Sequence, residues 1–298
     1  MAKGPTISEL LAEAGEKGLS LGKLTINSQS EQFEISEQEL RLKMRENLRV
    51  MRQSAIDGLE GKRRSMSGLV GGDAKRLEER RLAGKSIAGD VMARAAARAL
   101  AVAEVNAGMG KIVAAPTAGS CGVLPAVLLT VAEEVGATDE QLVEALFAAA
   151  GIGLVIATQA SISGAQGGCQ AEIGSAACMA AVAAVELAGG DSESAVEAGA
   201  MALKTLLGLV CDPVAGLVEV PCVKRNAAAA ANAMVAADMA LAGIKSNIPL
   251  DEVIWAMNQI GNAMPCSLKE TAMGGLAITP TAFKIKEAFL GAGKQDKQ

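Results

Sequence analysis

The sequence predicts an all-α fold, an Ala-rich helical bundle interrupted by glycine-rich loops. Hydrophobic residues make up 50% of the 298 residues but aromatic residues only 2%, and there is no tyrosine and one tryptophan. The apolar content is therefore carried by Ala, Val, Leu, Met and Ile. Ala and Leu are strong helix formers, and small side chains let helices approach closely. No window shows the sustained period-two alternation, with β-branched residues, that predicts a strand.

Capping residues and apolar spacing place the helices along the chain. Residues 1–34 are polar and mixed, which predicts one short helix over 7–16 followed by a loop. The segment Ser36 to Glu39 is a capping box, and apolar residues recur behind it at the helical spacing of three and four. A second capping box, Thr138 to Gln141, begins a central helix. Further helices are predicted over 170–188, 192–208, 224–242, 249–261 and 282–290.

The predicted organisation is an N-terminal arm, residues 1–35, followed by one helical domain, residues 36–298. No charged residue lies between Glu144 and Glu172, and this length alone would allow a membrane span. The same stretch contains glutamines, serines, a threonine and several glycines, which would then face hydrocarbon. We therefore prefer a buried central helix that runs into a polar turn, and we predict no membrane association.

Charge and residue usage narrow the function. The net charge of −5 and the pI near 5.1 argue against a nucleic-acid partner. The first 18 residues contain acidic residues at positions where a signal peptide would be apolar, so we expect a cytoplasmic location. Because that compartment is reducing, we expect no disulfide framework for the six cysteines. The absence of histidine removes the commonest general base and nitrogen ligand. A tightly held transition metal would have to rest on cysteine and carboxylate.

Four polar, glycine-rich loops interrupt the helices, and cysteines lie in three of them. Glycine is costly inside a helix, so its clusters indicate turns or a close backbone approach. Successive amides in such turns bind anionic groups, especially at helix N-termini. The loops are residues 65–73, 115–125, 163–174 and 211–222.

The six cysteines divide by their surroundings. Cys178 lies in an apolar helical segment and is predicted to be a core thiol, whereas Cys121 and Cys266 fit a core or a pocket equally well. The other three cysteines lie at junctions between loops and helices; they are Cys169, Cys211 and Cys222. A hydrophobic core does not need three cysteines at such positions.

The spacing C-x41-C-x10-C of those three residues is a weak metal pattern taken alone. Thiolates select iron–sulfur clusters and zinc, and without histidine a cysteine-only site favours a cluster. Three ligands would leave one iron open, as Lewis-acid catalysis requires.

Five long motifs resemble the α chain of iron–sulfur L-serine dehydratases, over about residues 36–290. The motifs are SGLVGGDA, GKIVAAPTAGSCGVLP, GAQGGCQAEIGSA, GLVCDPVAGLVEVPCVKRNA and ETAMGGLA. The resemblance implies an all-helical lyase that converts L-serine to pyruvate and ammonia without pyridoxal phosphate. It also implies that Cys169, Cys211 and Cys222 hold a [4Fe–4S] cluster, whose open iron acts as a Lewis acid on the substrate hydroxyl.

The resemblance further implies a partner. Two-chain members of the family have a separate β chain, whose SSSHT-type motif supplies a histidine near the substrate. Fused single-chain members instead place a C-terminal cysteine at the cluster's fourth position, and the tail here, GAGKQDKQ, has none. We therefore expect this chain to be the α subunit of a two-chain enzyme.

Substrate groups are predicted in two of the loops. Ser65, Ser67 and Gly68 are candidates for binding the amino-acid carboxylate, with Lys111 as a cationic partner and with Ser65, Ser67 and Lys111 as catalytic residues. An ordinary turn is the alternative for this loop. The same pocket is predicted to be lined by Thr117, Ser120 and Cys121. The pair Lys224-Arg225 follows the third cysteine and either balances cluster charge or is a solvated pair.

Three other functions fit parts of the sequence. A pyridoxal-phosphate lyase would need a lysine in a pocket motif, and Lys111 is the only candidate. A lyase with the same fold and cluster acting on L-cysteine differs only in the leaving group. An Ala-rich membrane or scaffold protein would tolerate loss of the three junction cysteines.

Overall fold

Side-chain oxygens cap the first turns of five helices in the computed structural model, which describes residues 4–295. Each cap accepts a hydrogen bond from the amide three residues on, which stabilises a helix by about 1 kcal/mol. The capping residues are Thr6, Ser20, Ser36, Thr138 and Asp191. The helix starts predicted at Ser36 and Thr138 are therefore confirmed. The full capping box forms at Thr138, whereas at Ser36 only the serine bond forms and the Glu39 side chain pairs with Lys43.

The fold is all-α, as predicted, with thirteen helices and no strand among residues 4–295. The helices are α1 Ile7–Lys17, α2 Leu21–Phe33, α3 Glu37–Leu59, α4 Asp73–Leu82, α5 Gly89–Ala107, α6 Val123–Val135, α7 Asp139–Gln159, α8 Gly164–Gly167, α9 Ser175–Leu187, α10 Ser192–Thr205, α11 Cys222–Leu241, α12 Leu250–Ala263 and α13 Pro280–Gln295.

The loop predicted after the first helix is wrong, because residues 21–33 form α2. Its apolar periodicity is weak, yet Leu21, Leu24 and Ile26 are buried in the main core. The N-terminal helices thus pack into the same core as the rest of the chain. The boundary between residues 35 and 36 stays a prediction.

Helix α9 lies at the centre of the bundle and packs against α6, α7, α10 and α11. It is lined by alanines that are almost wholly buried, and small side chains on every face let four helices approach its axis. This arrangement explains the low aromatic content, since there is little room for large rings. Cys178 lies fully buried in α9, which confirms it as a core thiol.

Three segments are long and apolar enough to cross a membrane by length and composition. They span Ala118–Val135, Asp139–Gln159 and Gln170–Leu187, and 67%, 67% and 89% of each is buried within the protein. Their apolar character is therefore accounted for by the core that they form.

A glycine lies at a close approach of helices α3 and α5. A Cβ atom added to Gly58 of α3 would overlap the backbone of Ala101 in α5. The helix backbones can approach this closely only when that side chain is absent. By contrast, nothing lies within 4 Å of a Cβ atom built on Gly15 of α1.

We predict that Gly58→Ala lowers the free energy of unfolding by about 1–3 kcal/mol, because the overlap outweighs the helix propensity gained. The matched control is Gly15→Ala, which gains helix propensity with no overlap and is expected to raise stability by up to about 1 kcal/mol. Denaturant unfolding of both variants measures the difference. Stabilisation of both by the same amount would show that the α3–α5 contact is looser than described.

A half-buried carboxylate ties α2 to the centre of the bundle. Glu186 of α9 accepts hydrogen bonds from the amides of Leu21 (2.7 Å) and Gly22 (3.3 Å) at the start of α2. Burial raises the pKa of Glu186 to about 7, against the opposing effect of these two amides.

Because the pKa of Glu186 is higher in the folded than in the unfolded chain, the folded state binds this proton more tightly. Its contribution to stability is complete below the unfolded pKa and is lost as the pH rises through about 7. We predict that Glu186→Gln reduces the fall in unfolding free energy between pH 5 and pH 8, by on the order of 2 kcal/mol. Glu16→Gln, at an exposed site on α1, is the control, and equal pH profiles for the two variants would refute the assignment.

Candidate functional site

Cys169 is held at a sharp turn between α8 and a π-helical turn, Gln170–Gly174. The preceding Gly168 has φ +76°, and a Cβ atom there would lie 2.9 Å from the carbonyl oxygen of Leu209. Gln170 is fully buried, and its backbone amide donates to that same carbonyl oxygen at 2.9 Å. The backbone on both sides of Cys169 is therefore fixed against residue 209.

Cys211 is fixed by the C-terminal part of the chain. Its amide donates to the carbonyl oxygen of Leu268 at 2.9 Å, and its carbonyl oxygen accepts from the amide of Glu270 at 2.8 Å. These bonds form an isolated bridge between Cys211 and Lys269. The ETAMGGLA motif at residues 270–277 thus follows directly on a segment that positions a predicted ligand.

Cys222 is the first residue of α11 and follows the cis peptide bond between Val220 and Pro221. Its thiol is buried at a helix N-terminus, where the free amides and the helix dipole favour a thiolate or another anion. Without a bound cation burial dominates, and it raises the pKa of Cys222 to about 12.

Two of the three predicted cysteines converge with a carboxylate, and the third lies near them. The Sγ atoms of Cys169 and Cys211 and a carboxylate oxygen of Glu172 lie within 4.8 Å of one another. Cys222 lies outside this group of three, yet near enough that the charge of Cys169 contributes to its raised pKa. Glu172 was not among the residues predicted from the sequence. Its position three residues after Cys169, as the next charged residue after Glu144, is a signal that was available there.

Arg225 makes the site electropositive at one thiol. Its Nη1 donates to Cys169 Sγ at 3.3 Å and to the carbonyl oxygen of Val210 at 2.8 Å, and its Nη2 pairs with Asp212 at 2.9 Å. The hydrogen bond from the Cys211 thiol and the charge of Arg225 lower the pKa of Cys169. The pKa of Cys211 is raised in turn, because Cys211 gives its proton to that bond.

The donor set fits an iron–sulfur cluster. It consists of three buried sulfur atoms, of which Cys169 is favoured as a thiolate by an adjacent guanidinium group. Soft thiolates are the usual ligands of such clusters, and this chain has no histidine to favour another metal. Of the two cations proposed to balance cluster charge, Arg225 lies at the thiols, whereas Lys224 is exposed and pairs with Asp73 at 3.2 Å.

The loop at residues 65–73 is tied to the cysteine loop. The Ser67 hydroxyl donates to Glu219, a carboxylate that is only 6% exposed and lies three residues before Cys222. Ser65 is buried, with its hydroxyl 3.3 Å from that of Ser67, and Gly68 lies at an exposed turn with φ +75°. Two predicted serines and a predicted glycine therefore stand at the edge of the site.

A second buried carboxylate holds the far end of that loop. Glu104 of α5 is 3% exposed and accepts hydrogen bonds from the amides of Gly72 (2.9 Å), Asp73 (2.7 Å) and Ala74 (3.2 Å). Neither Glu104 nor Glu219 was predicted, because their partners lie far away in the sequence.

The loop at residues 115–125 also reaches the site. A Cβ atom on Gly119 would lie 3.5 Å from both carboxylate oxygens of Glu172. Burial raises the pKa of Glu172, and the Thr117 hydroxyl partly offsets this. Ser120 is fully buried, with its hydroxyl 3.2 Å from that of Thr117.

Cys121 and Lys111 are not brought to the thiols. Cys121 is completely buried against the carbonyl oxygen of Val102, and burial raises its pKa to about 12, the environment of a core thiol. Lys111 is exposed, and its charge contributes to a lowered pKa of Glu46 on α3. In the described part of the chain no hydrogen bond joins Lys111 to the loop at residues 65–73. Their roles at a substrate stay predictions.

Comparison with known proteins bears on this site. A sequence model of the family described as serine dehydratase alpha chain matches residues 16–277. The probable L-serine dehydratase alpha chain of Bacillus subtilis is 52% identical over 285 residues, covering 96% of this chain and 95% of that protein. The L-serine dehydratase alpha chain of Peptoniphilus asaccharolyticus is 43% identical over 288 residues, covering 97% and 99%.

A longer relative matches over part of its length. The L-serine dehydratase of Streptomyces coelicolor is 41% identical over 284 residues, which cover 92% of this chain and 60% of that protein. The family match and the near full-length relatives confirm the resemblance carried by the motifs. The chain belongs to the serine dehydratase alpha chain family, whose members are lyases.

Proposed function

We propose that this chain is the catalytic α subunit of an L-serine ammonia-lyase, which converts L-serine to pyruvate and ammonia. The observation that carries the proposal is the convergence of Cys169, Cys211 and Glu172, with Cys222 beside them and Arg225 on one thiol. We assign a [4Fe–4S] cluster to Cys169, Cys211 and Cys222.

When bound, the cluster supplies a Lewis-acidic iron without a cysteine ligand, which makes the substrate hydroxyl a better leaving group. The residues of this chain hold and screen it. Arg225 donates a hydrogen bond to Cys169 Sγ, which favours the thiolate, and it would offset part of the charge that three thiolates bring together. Asp212 orients Arg225, and it also accepts a hydrogen bond from the amide of Leu276 at 2.7 Å.

The substrate carboxylate is assigned to the edge of the site formed by Ser65, Ser67 and Gly68. The contact between Ser67 and Glu219 supports this, because it sets the loop at a fixed distance from Cys222. Loss of the α-proton and of the hydroxyl as water gives aminoacrylate, which tautomerises and hydrolyses to pyruvate and ammonia. Holding the reacting groups in position accounts for a large share of the acceleration.

A partner chain completes the proposal. This chain has no histidine, and two of the relatives above are named alpha chains. We propose that a β chain binds near the substrate loops and supplies a histidine there. We also propose that the enzyme works without pyridoxal phosphate in the reducing cytoplasm, where Cys169 and Cys211 are not oxidised to a disulfide.

Replacing any one of the three cysteines tests the cluster assignment. We predict that Cys169→Ser, Cys211→Ser and Cys222→Ser, reconstituted anaerobically with iron and sulfide, lose bound iron, the broad visible absorbance and pyruvate formation from L-serine. Cys266→Ser, at an exposed thiol, is the control and retains all three. Activity is expected only after the β chain is added. An iron-free chain that deaminates serine at the wild-type rate would contradict the assignment.

Arg225 is predicted to act through the cluster ligand that it touches. Arg225→Gln removes the hydrogen bond to Cys169 and the pair with Asp212, so we expect iron affinity to fall by about 10-fold or more and the cluster's reduction potential to shift. Lys224→Gln makes the same charge change at the adjacent exposed residue and is the control. Iron titration and potentiometry measure both effects, and equal behaviour of the two variants would assign Arg225 a merely structural role.

A further inference from the structure

The Glu172 carboxylate lies beside the thiols, and the proposed cluster assignment gives it no role. Glu172 lies three residues after Cys169, inside the π-helical turn Gln170–Gly174. The π-helical turn that contains Glu172 is a rare form, and such turns occur frequently at functional sites. One carboxylate oxygen of Glu172 lies within 4.8 Å of the Sγ atoms of Cys169 and Cys211.

Space around the Glu172 carboxylate is kept by two glycines from different loops. A Cβ atom on Gly164 would lie 2.7 Å from Glu172 Oε2 and 3.1 Å from Cys211 Sγ. A Cβ atom on Gly119 would lie 3.5 Å from either carboxylate oxygen. The carboxylate therefore lies between two loop backbones and beside the thiols, and an alanine at residue 164 would push it out of this position.

The cation at the site is engaged elsewhere. Arg225 binds Cys169 and Asp212, so its charge is divided between those two groups rather than given to Glu172. A half-buried carboxylate beside two of the proposed sulfur ligands is in a suitable place to meet a metal ion.

We propose that Glu172 supplies an oxygen ligand to the iron that the three cysteines leave without a thiolate, and that L-serine displaces it. This inference rests on the proposed function. Carboxylate oxygen is a common ligand of iron in proteins, although thiolate is the softer donor. The exchange is balanced, because one iron–oxygen bond to Glu172 breaks while one to the substrate hydroxyl forms, and the released carboxylate keeps its charge.

This ligand would protect the cluster between turnovers. An iron without a protein ligand is the one that a cluster loses first to oxidants, leaving a three-iron form. A carboxylate on a short helical turn holds that iron until substrate arrives, and it leaves more readily than a thiolate would.

The test compares two carboxylate variants of the αβ holoenzyme, reconstituted with Mössbauer-active iron. Glu172→Gln keeps the shape of the side chain and removes its charge. Glu270→Gln is the matched control, because Glu270 is exposed, it bonds Cys211 only through its backbone amide, and its side chain influences the Cys211 thiol by charge alone. Mössbauer spectra are recorded with and without L-serine. The rate of three-iron cluster formation under a mild oxidant is followed by electron paramagnetic resonance.

We expect the wild type and Glu270→Gln to show one distinct iron, whose spectrum changes when serine is added. Glu172→Gln is expected to show an altered spectrum for that iron before serine is added, and to lose iron about 10-fold faster. Glu172→Asp, which keeps the charge but shortens the reach, should also lose iron faster than Glu270→Gln. It serves as the test should Glu172→Gln fail to fold.

Two results would overturn the inference, and they are distinguishable. If Glu172→Gln matches Glu270→Gln in its resting spectrum and iron loss while serine turnover falls, Glu172 acts on the substrate and the proposed function stands. If the wild type assembles no cluster, the proposed function fails and this inference fails with it.

Discussion

The contact between Arg225 and Cys169 is the interaction on which the site depends. Three thiols brought together below the surface repel one another once they ionise, and burial alone raises their pKa values. The hydrogen bond from the Cys211 thiol and a guanidinium group 3.3 Å from the sulfur together reverse this for Cys169, and Asp212 keeps that guanidinium group in place. Arg225 comes from the first turn of α11, whose first residue is Cys222. One short helical segment therefore supplies both a ligand and the charge that makes another ligand available.

Buried polar side chains connect the helical bundle to its loops. Asn226 of α11 is fully buried, and it donates to the carbonyl oxygen of Gly119 at 2.8 Å while accepting from the amide of Gly122 at 2.9 Å. Glu104 and Glu219 accept hydrogen bonds from the loop at residues 65–73 and hold it in a similar way. A buried carboxylate or amide is costly unless its partners are all present, so these contacts fix loop positions more sharply than apolar packing would. The Ala-rich bundle supplies rigid helix ends from which they act.

Much of the fold and part of the site could be predicted from the sequence. Capping boxes and composition gave the helices, and glycine clusters separated Cys169, Cys211 and Cys222 from Cys178. What could not be predicted depends on contacts between distant segments. Ser67 and Glu219 are 152 residues apart in the sequence. Lys224 and Arg225 are adjacent cations, and only the folded structure shows that Arg225 contacts a thiol whereas Lys224 does not. Helix α2 was not predicted because its sequence is mostly polar and only a narrow stripe of it is buried.

The most direct measurement is the anomalous diffraction of iron in crystals of the anaerobically reconstituted chain with its β partner. The account predicts one compact group of iron peaks within bonding distance of the Sγ atoms of Cys169, Cys211 and Cys222, with the Arg225 guanidinium still beside Cys169. Iron bound elsewhere, or bound without any one of these three sulfur atoms, would contradict it.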